Sequence, residues 1–464
     1  VLIEEQIRKH LLPIFYKIKG YKRLEYYFEL EKRNQSSYQE LKELQWIKLK
    51  NLLNYCYNNI PYYKFLFDSN NIHPHDIKNE GDFKKIPILT RDIIINNYEG
   101  LFDPNIDKNL FWYDKTSGST GHALKYARTN DEREYAFSLR YRANAWAGWN
   151  YYERSAWIVT DARRITQINS LKGKISLLLS GRLLLNTKNI TRDKMFEWAE
   201  QIKSFKPKVI YGYSSILAEF AEFLIDNNIK LNGIKAVIST AEPLNKRETI
   251  SKAFNAKVFD QYGASELPCI SHECTCGALH LNFDEMFVEF EQISSTSDMQ
   301  KIIITPLFIK SFPLLRYELG DAAVPIEQKC KCNLPYPVIE LKAGRISDNL
   351  VTKDGRLLSG VTTGWYVNYI TENIRQFQII QLDYENIQIN AVSEANCITN
   401  EDEKAIIDYF RKIFQDENLN IKINYVNKIT PGTNGKIRTV ISKILESSSH
   451  GSHSSSYPCH SAGF

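Results

Sequence analysis

The chain has 464 residues, 43% apolar and 24% charged, an ordinary soluble composition at a length that exceeds what one core usually organises, so two or more domains are expected. Its 59 basic and 54 acidic side chains leave a formal charge of +5 and are interspersed without a long basic run, which argues against nucleic acid or a polybasic membrane patch as partner. No stretch approaches the ~20 apolar residues that span a bilayer, so no transmembrane segment is expected.

Val1 to Ile14 mixes Glu4, Glu5, Arg8 and Lys9 with apolar residues and lacks the basic-then-apolar layout of a signal peptide. The cytoplasm is the expected compartment, and the missing start Met reads as a trimmed chain. The first ~70 residues form a helical preface by periodicity. Leu41, Leu44, Trp46, Leu49, Leu52, Leu53 and Cys56 recur at spacings of three and four, and Ile60-Pro61 ends that helix because proline disfavours the helical conformation before it.

Thr116-Ser117-Gly118-Ser119-Thr120-Gly121 alternates hydroxyls with glycines. Such a loop can turn its N–H groups inward while side chains add donors, as a phosphate chain requires. An ordinary polar loop has the same composition, and no Gly-Lys-Ser/Thr closes it as in a Walker loop.

From about Lys206 strands, turns and helices alternate as in parallel α/β units. Lys208 to Tyr213 reads as a strand, and Ser214 or Ser215 can cap a helix with Ile216, Leu217, Phe220, Ala221, Leu224 and Ile225 on its apolar face. Strands Ala236 to Ile238 and Lys257 to Gln261 each run into a small-residue loop, the place where α/β folds hold ligands. Beyond Gly344 a small α+β domain is expected, with strands at Phe377 to Leu382, Ile387 to Val392 and Ile421 to Tyr425 and a helix at Asp402 to Phe414. The tail after Glu446, with His450, His453 and His460, is low-complexity, either disordered or cloning-derived.

There are eight cysteines, and five potential metal ligands fall in two tight groups: Cys274, Cys276 and His280, then Cys330 and Cys332. In a cytosolic protein such clustering points to metal before disulfide, with packed or exposed thiols as the competing reading. Cys56 and Cys397 sit in apolar contexts and read as packed thiols.

After the Thr116–Gly121 loop come, in order, Ser239-Thr240-Ala241-Glu242-Pro243-Leu244, Asp260-Gln261-Tyr262-Gly263-Ala264-Ser265-Glu266, Arg316-Tyr317-Glu318-Leu319-Gly320-Asp321, Gly344-Arg345-Ile346-Ser347-Asp348 and Gly435-Lys436-Ile437-Arg438. The series resembles the adenylate-forming superfamily of acyl-CoA synthetases, adenylation domains and luciferases. Within it, the preface Gln45-Trp46-Ile47-Lys48-Leu49 through Asn59-Ile60-Pro61-Tyr62-Tyr63 is similar to the phenylacetate-CoA ligase and capsular-polysaccharide-biosynthesis branch.

The resemblance implies an α/β fold: a large multi-sheet domain (1–345) behind the helical preface, and a small mobile α+β domain (346–446) before the tail (447–464). It implies ATP-dependent activation of a carboxylic acid as acyl-AMP with release of pyrophosphate, then transfer to a thiol such as CoA or to an amine. Thr116, Ser117, Gly118, Ser119, Thr120 and Gly121 would hold the leaving phosphates. Ala241, Glu242, Pro243, Tyr262 and Gly263 would bind the nucleotide, with Tyr262 stacked on adenine. Asp321 would accept the ribose hydroxyls, Glu266 would hold Mg²⁺, and Arg345 would sit near ribose and α-phosphate. Lys436 would reach the carboxylate and α-phosphate, and Asp348 would be the hinge. The Cys and His groups resemble a structural zinc site of part of this branch, with five candidates for four places.

Two departures bear on the second step. The proline common after the phosphate loop is replaced at His122-Ala123, and Asn349-Leu350-Val351-Thr352-Lys353-Asp354-Gly355-Arg356 stands where the phenylacetate-CoA ligases carry an Arg-Gly-rich segment. The acceptor therefore stays open between CoA, an amine, and none if nucleotidyl transfer is itself the outcome. Trp112, Tyr113, Tyr211 and Tyr213 are candidates to line the acid pocket, and core packing explains them equally well. A non-catalytic ATP-binding scaffold is the reading from another class; it leaves Glu266, Asp321 and Lys436 without a task.

Overall fold

The computed structural model describes residues 2–115, 124–159, 177, 179–187, 191–241, 243–244, 246–293, 298–345, 349–358, 363, 367, 370, 374–393, 398–429 and 438–446. The chain divides into two compact units. The first comprises Val1–Phe290, Ile302–Leu319 and Pro325–Glu340, and the second Glu291–Lys301, Gly320–Val324 and Leu341–Phe464.

The preface is helical as its periodicity requires. Leu41, Leu49, Leu52, Leu53 and Cys56 are buried on one face of the helix Tyr38–Asn59, which starts at a capping box between Ser37 and Glu40. Pro61 ends this helix by opening the next, Pro61–Ser69, where its missing N–H costs nothing.

A hairpin of β1 (Phe111–Lys115) and β2 (Lys125–Thr129) follows. Its antiparallel ladder runs from Phe111 opposite Thr129 to Lys115 opposite Lys125. Thr129 then caps the helix Asn130–Trp146 through a second capping box with Glu132.

The strands β3 (Ser155–Val159), β4 (Arg182–Asn186), β5 (Val209–Tyr213), β6 (Ala236–Thr240) and β7 (Lys257–Tyr262) are parallel. They are continued by β8 (Ser271–Glu273), β9 (Leu279–Leu281), β10 (Met286–Gln292), β11 (Gln300–Pro306), β12 (Tyr317–Ile326) and β13 (Val338–Arg345). Together these make one sheet in the order β10-β11-β12-β13-β9-β8-β7-β6-β5-β3-β4.

Parallel strands buried on both faces read as near-continuous apolar runs, and β5 and β6 are buried over four of five positions. One core packs the helices Arg192–Phe205, Ser214–Asp226 and Arg247–Phe254 on the sheet through Trp198, Phe220 and Phe254. The other packs the N-terminal helices and the 130–146 helix through Leu12, Tyr16, Tyr141 and Trp149 onto Trp157, Tyr211 and Phe259.

The N-cap expected at Ser214 or Ser215 falls one residue earlier. Strand β5 runs straight into the helix, so extended Tyr213 takes the N-cap position without a side-chain cap and Ser214 becomes the first helical residue.

In the second unit, β16 (Ile374–Gln381) pairs antiparallel with β17 (Asn386–Ser393), and β18 (Asn420–Tyr425) and β19 (Val440–Ser442) add in parallel in the order β18-β17-β16-β19. A short ladder of β14 (Leu350–Val351) and β15 (Leu357–Leu358) precedes them. The helix Asn400–Phe414, capped by Thr399, buries Ile406, Phe410 and Phe414 against Ile379, Ile389 and Val440. No helix among the described residues is long and apolar enough to cross a membrane.

Candidate active site and metal centre

Parallel strands present their carboxyl ends to ligands, and here two of the sequence motifs meet at neighbouring ends. Thr240 of β6 lies opposite Gln261 of β7, and its hydroxyl donates to the Gln261 carbonyl at 3.2 Å. Ala241, the next residue, has φ of +68°, a left-handed conformation that costs a non-glycine residue about 1–2 kcal/mol. Strain of this kind is held where the chain must place its backbone for a ligand. Pro243 is exposed just beyond it. Glu242 lies outside the described residues.

Tyr262 ends β7 and is buried. The chain then folds back sharply. Ala264 N–H donates to the Leu267 carbonyl at 3.0 Å, Leu267 N–H to the Ala264 carbonyl at 3.1 Å, and Ile270 N–H to the Tyr262 carbonyl at 2.8 Å. Gly263 is required here because a Cβ would stand 2.6 Å from Cys269 N and 3.0 Å from the Leu267 carbonyl oxygen.

Glu266 sits on this turn, buried. Tyr317 of β12 donates its hydroxyl to Glu266 Oε1 at 3.0 Å. No other side chain among the described residues bonds to this carboxylate, so Oε2 remains for a ligand. A monodentate, buried carboxylate with a fixed orientation suits Mg²⁺, which takes few protein oxygens.

The turn is also fastened from the hairpin. Tyr126 and Arg128 alternate on β2 and so share a face. The Tyr126 hydroxyl donates to the Ser265 carbonyl at 2.8 Å, and Arg128 Nη2 donates to the carbonyls of Ser265, at 3.2 Å, and of Glu266. Burial holds the Arg128 guanidinium below the usual arginine range, against the opposing pull of Tyr126 and Glu266. Thus the strand leaving the 116–123 segment is bonded directly to the turn that carries Glu266. Neither Tyr126 nor Arg128 was a sequence candidate. The alternation on β2 offered the only signal.

Several candidates are not brought together. Asp321 lies on β12 within the second unit, after Gly320 with φ of +84°. Arg345 ends β13, and its side chain lies outside the described residues. Thr116, Ser117, Gly118, Ser119, Thr120, Gly121, His122, Ala123, Asp348, Cys397, Lys436 and the tail also lie outside them.

Of the five metal candidates, four converge. One ligand atom each from Cys274, His280, Cys330 and Cys332 lies within 4.8 Å of the others. Cys274 Sγ is 3.6 Å from Cys330 Sγ, and Cys332 Sγ is 3.2 Å from His280 Nε2. A tetrahedral zinc ion with bonds of about 2.0–2.3 Å separates its ligand atoms by roughly 3.5–3.8 Å; the donor set fits, and separations between 3.2 and 4.8 Å bracket that spacing. His280 Nδ1 faces the Tyr336 carbonyl at 2.8 Å. A carbonyl only accepts, so the proton sits on Nδ1 and Nε2 is free to ligate. Cys276 is exposed on the turn closed by Gly277 N–H to the Cys274 carbonyl, and it falls outside the four.

Beneath this centre Arg142 forms two bonds to the Asp284 carboxylate, at 2.8 and 2.9 Å, with both side chains fully buried. Arg142 holds Asp284 well below the usual carboxylate range against a burial effect that would raise it.

Comparison with known proteins gives a consistent result. The family described as the CapK C-terminal domain matches residues 350–443. Protein CapK of Staphylococcus aureus is 26% identical over 429 residues, covering 90% of this chain and 92% of that protein. A phenylacetate-coenzyme A ligase of Aromatoleum evansii is 33% identical over 324 residues, covering 63% of this chain and 68% of that one. Among solved structures, 2-hydroxyisobutyryl-CoA ligase in the postadenylation state superposes with a TM-score of 0.68 at 15% identity, over 90% of this chain and 93% of that one.

Proposed function

The chain belongs to the phenylacetate-CoA ligase-like and CapK branch of the adenylate-forming superfamily, and on that premise we propose that it activates a carboxylic acid as its acyl-AMP. A carboxylate oxygen attacks the α-phosphorus of ATP, the α–β bridging bond breaks, and pyrophosphate leaves with the electron pair. The acyl carbon is then attacked by a thiol or an amine, and AMP departs.

The observation that carries this reading is the Glu266 turn. It lies at the carboxyl end of a parallel strand, has its carboxylate oriented by the Tyr317 hydroxyl at Oε1, and is bonded through Tyr126 and Arg128 to the hairpin flanking the hydroxyl- and glycine-rich segment. Charge builds on phosphorus and pyrophosphate in this reaction, so fixed donors and cations do more than a covalent nucleophile would.

In this role Thr116, Ser117, Ser119 and Thr120 bind the outer phosphates, Tyr262 packs on adenine, and Asp321 accepts from the ribose hydroxyls. Mg²⁺ bound at Glu266 would neutralise charge on the phosphates. Arg345 and Lys436 complete the positive surroundings of the α-phosphate. Asp348 is the hinge about which the small domain, 346–446, exchanges one face for another between the two steps.

The four-residue Cys and His centre suits a zinc ion with a structural task. All four positions are filled by protein, which leaves no place for a substrate. The ion would clamp the β8–β9 turn, just after the Glu266 turn, to the loop at Cys330.

A panel of carboxylic acids with ATP and Mg²⁺, read by pyrophosphate release with CoA, with hydroxylamine and with neither, tests the proposal. Acid-dependent release is expected. Hydroxamate formed without CoA would show the acyl-AMP itself, release stimulated by CoA would favour a thiol acceptor, and ATP turnover independent of every acid would refute acid activation.

A further inference from the structure

Several arginines of the first unit are paired with acids. Arg23 pairs with Glu134, Arg142 with Asp284, Arg247 with Glu273 and Arg316 with Glu289. Arg140 is different. It is partly buried on the 130–146 helix, and no carboxylate pairs with it among the described residues; its Nε, like that of Arg142, is buried without a hydrogen-bond partner.

Its guanidinium carbon lies 5.8 Å from the ring centroids of both Trp157 and Tyr211. These two buried rings stand side by side on β3 and β5 with centroids 4.2 Å apart. Arg182 approaches the same Trp157 ring at 5.3 Å and spends its hydrogen bond on the Tyr141 hydroxyl. Two guanidinium groups thus share an aromatic floor that contains no acid among the described residues. Stacking on rings compensates part of the cost of burying a cation but leaves the in-plane N–H donors unused.

This floor reaches the nucleotide turn. The Tyr211 hydroxyl donates to Gln261 Oε1 at 2.5 Å, and Gln261 Nε2 donates to Asn144 Oδ1 at 3.2 Å. Gln261 is the residue before Tyr262. Burial pushes the Cys269 thiol up to about 11, with Arg140 the foremost opposing charge, and Cys269 N is the atom against which Gly263 packs. Arg140 is therefore set behind the turn that carries Tyr262 and Glu266.

We propose that Arg140 receives a second carboxylate of the acid being activated, so that the substrate is a dicarboxylic acid with an apolar or aromatic spacer lying over Trp157 and Tyr211. This rests on the acid-activating function proposed above. The planar fork of a guanidinium matches a carboxylate with two parallel bonds. An acid lacking that group leaves the buried Nε and the rest of the fork without a carboxylate, and a site that loses charged hydrogen bonds in this way rejects the analogue.

The test compares matched pairs of the same skeleton: butyrate with succinate, valerate with glutarate, benzoate with isophthalate. Acid-dependent ATP–pyrophosphate exchange is measured for the wild type, Arg140→Met and Arg140→Lys. The wild type is expected to favour the diacid in at least one pair. Arg140→Met should then lower the diacid-to-monoacid ratio of kcat/KM by about 10- to 100-fold, the size of lost charged hydrogen bonds, mostly through KM. Arg140→Lys, which keeps the charge without the fork, should recover part of it.

Preference for the monoacid in every pair overturns the proposal. So does an equal fall for both acids in Arg140→Met, which would make Arg140 a partner of the reacting carboxyl or of the fold. If no acid supports exchange, the activating function itself fails, and calorimetric titration of succinate, glutarate and isophthalate decides this inference separately: binding lost in Arg140→Met upholds it, and no binding to the wild type overturns it.

Discussion

Gly263→Ala is the substitution whose consequence follows most directly from the geometry. Its new Cβ would stand 2.6 Å from Cys269 N and 3.0 Å from the Leu267 carbonyl oxygen, both backbone atoms that cannot rotate aside. Reaching an ordinary contact of about 3.4 Å requires the two segments of the turn to part by roughly 0.8 Å, and overpacking of this kind costs about 1–3 kcal/mol. The bond from Ile270 N–H to the Tyr262 carbonyl, 2.8 Å long, spans the same gap, and its loss adds about 1 kcal/mol. A total loss of about 2–4 kcal/mol should appear as a lower urea midpoint at unchanged slope. The same movement displaces Glu266, so acid-dependent ATP–pyrophosphate exchange should fall at least tenfold under conditions where the variant is fully folded. A variant with wild-type midpoint and exchange rate would show that the turn is not the tight, site-bearing element described.

Lys436→Ala should cut acyl-adenylate formation by about two orders of magnitude, the scale of a lost transition-state charge contact; near-wild-type pyrophosphate exchange would remove Lys436 from the reaction. Elemental analysis should find one zinc per chain in the wild type and in Cys276→Ser but not in Cys332→Ser, whose thermal midpoint should drop by several degrees; zinc retained in Cys332→Ser, or absent throughout, contradicts the centre. Burial, reinforced by the neighbouring Glu273 carboxylate, pushes Asp260 up to about 7. A carboxyl whose folded pKa lies above its unfolded value of about 3.9 stabilises the fold fully below that value and loses this contribution as pH rises through 7. Raising pH from about 4 to about 7 should therefore cost the wild type more stability than Asp260→Asn, and parallel urea-midpoint profiles would refute the shift.

The α/β class and the smaller C-terminal part were legible because strands such as Ala236–Thr240 and Lys257–Tyr262 run into small-residue loops and alternate with helices. The helix Asn400–Phe414 was legible from its apolar period, though two residues short at its start, where Thr399 and Asp402 cap it. Local signals of this kind survive in one sequence. The Ser214 cap did not, because the strand passes directly into the helix and puts Tyr213 at the N-cap.

Apart from the two Cys and His groups, contacts between distant segments were not legible. Arg128 and Tyr126 reach Ser265 and Glu266 over more than a hundred residues, and only folding sets that register. Cys-x-Cys spacing likewise cannot say which thiol faces inward. The turn at Gly277 settles it by carrying Cys276 outward. Arg140 was invisible for the same reason: its chemistry lies in having no acid beside it among the described residues, and that is a property of the packed sheet.

The central claim is that the carboxylate oxygen of an organic acid becomes bonded to the α-phosphorus of ATP. It is tested most directly by incubating the enzyme with ATP, Mg²⁺, hydroxylamine and an active acid labelled with ¹⁸O in its carboxyl group, then weighing the released nucleotide. Acid activation predicts AMP that carries one labelled oxygen on its phosphate. Unlabelled AMP, or label recovered only in inorganic phosphate alongside ADP, would contradict it.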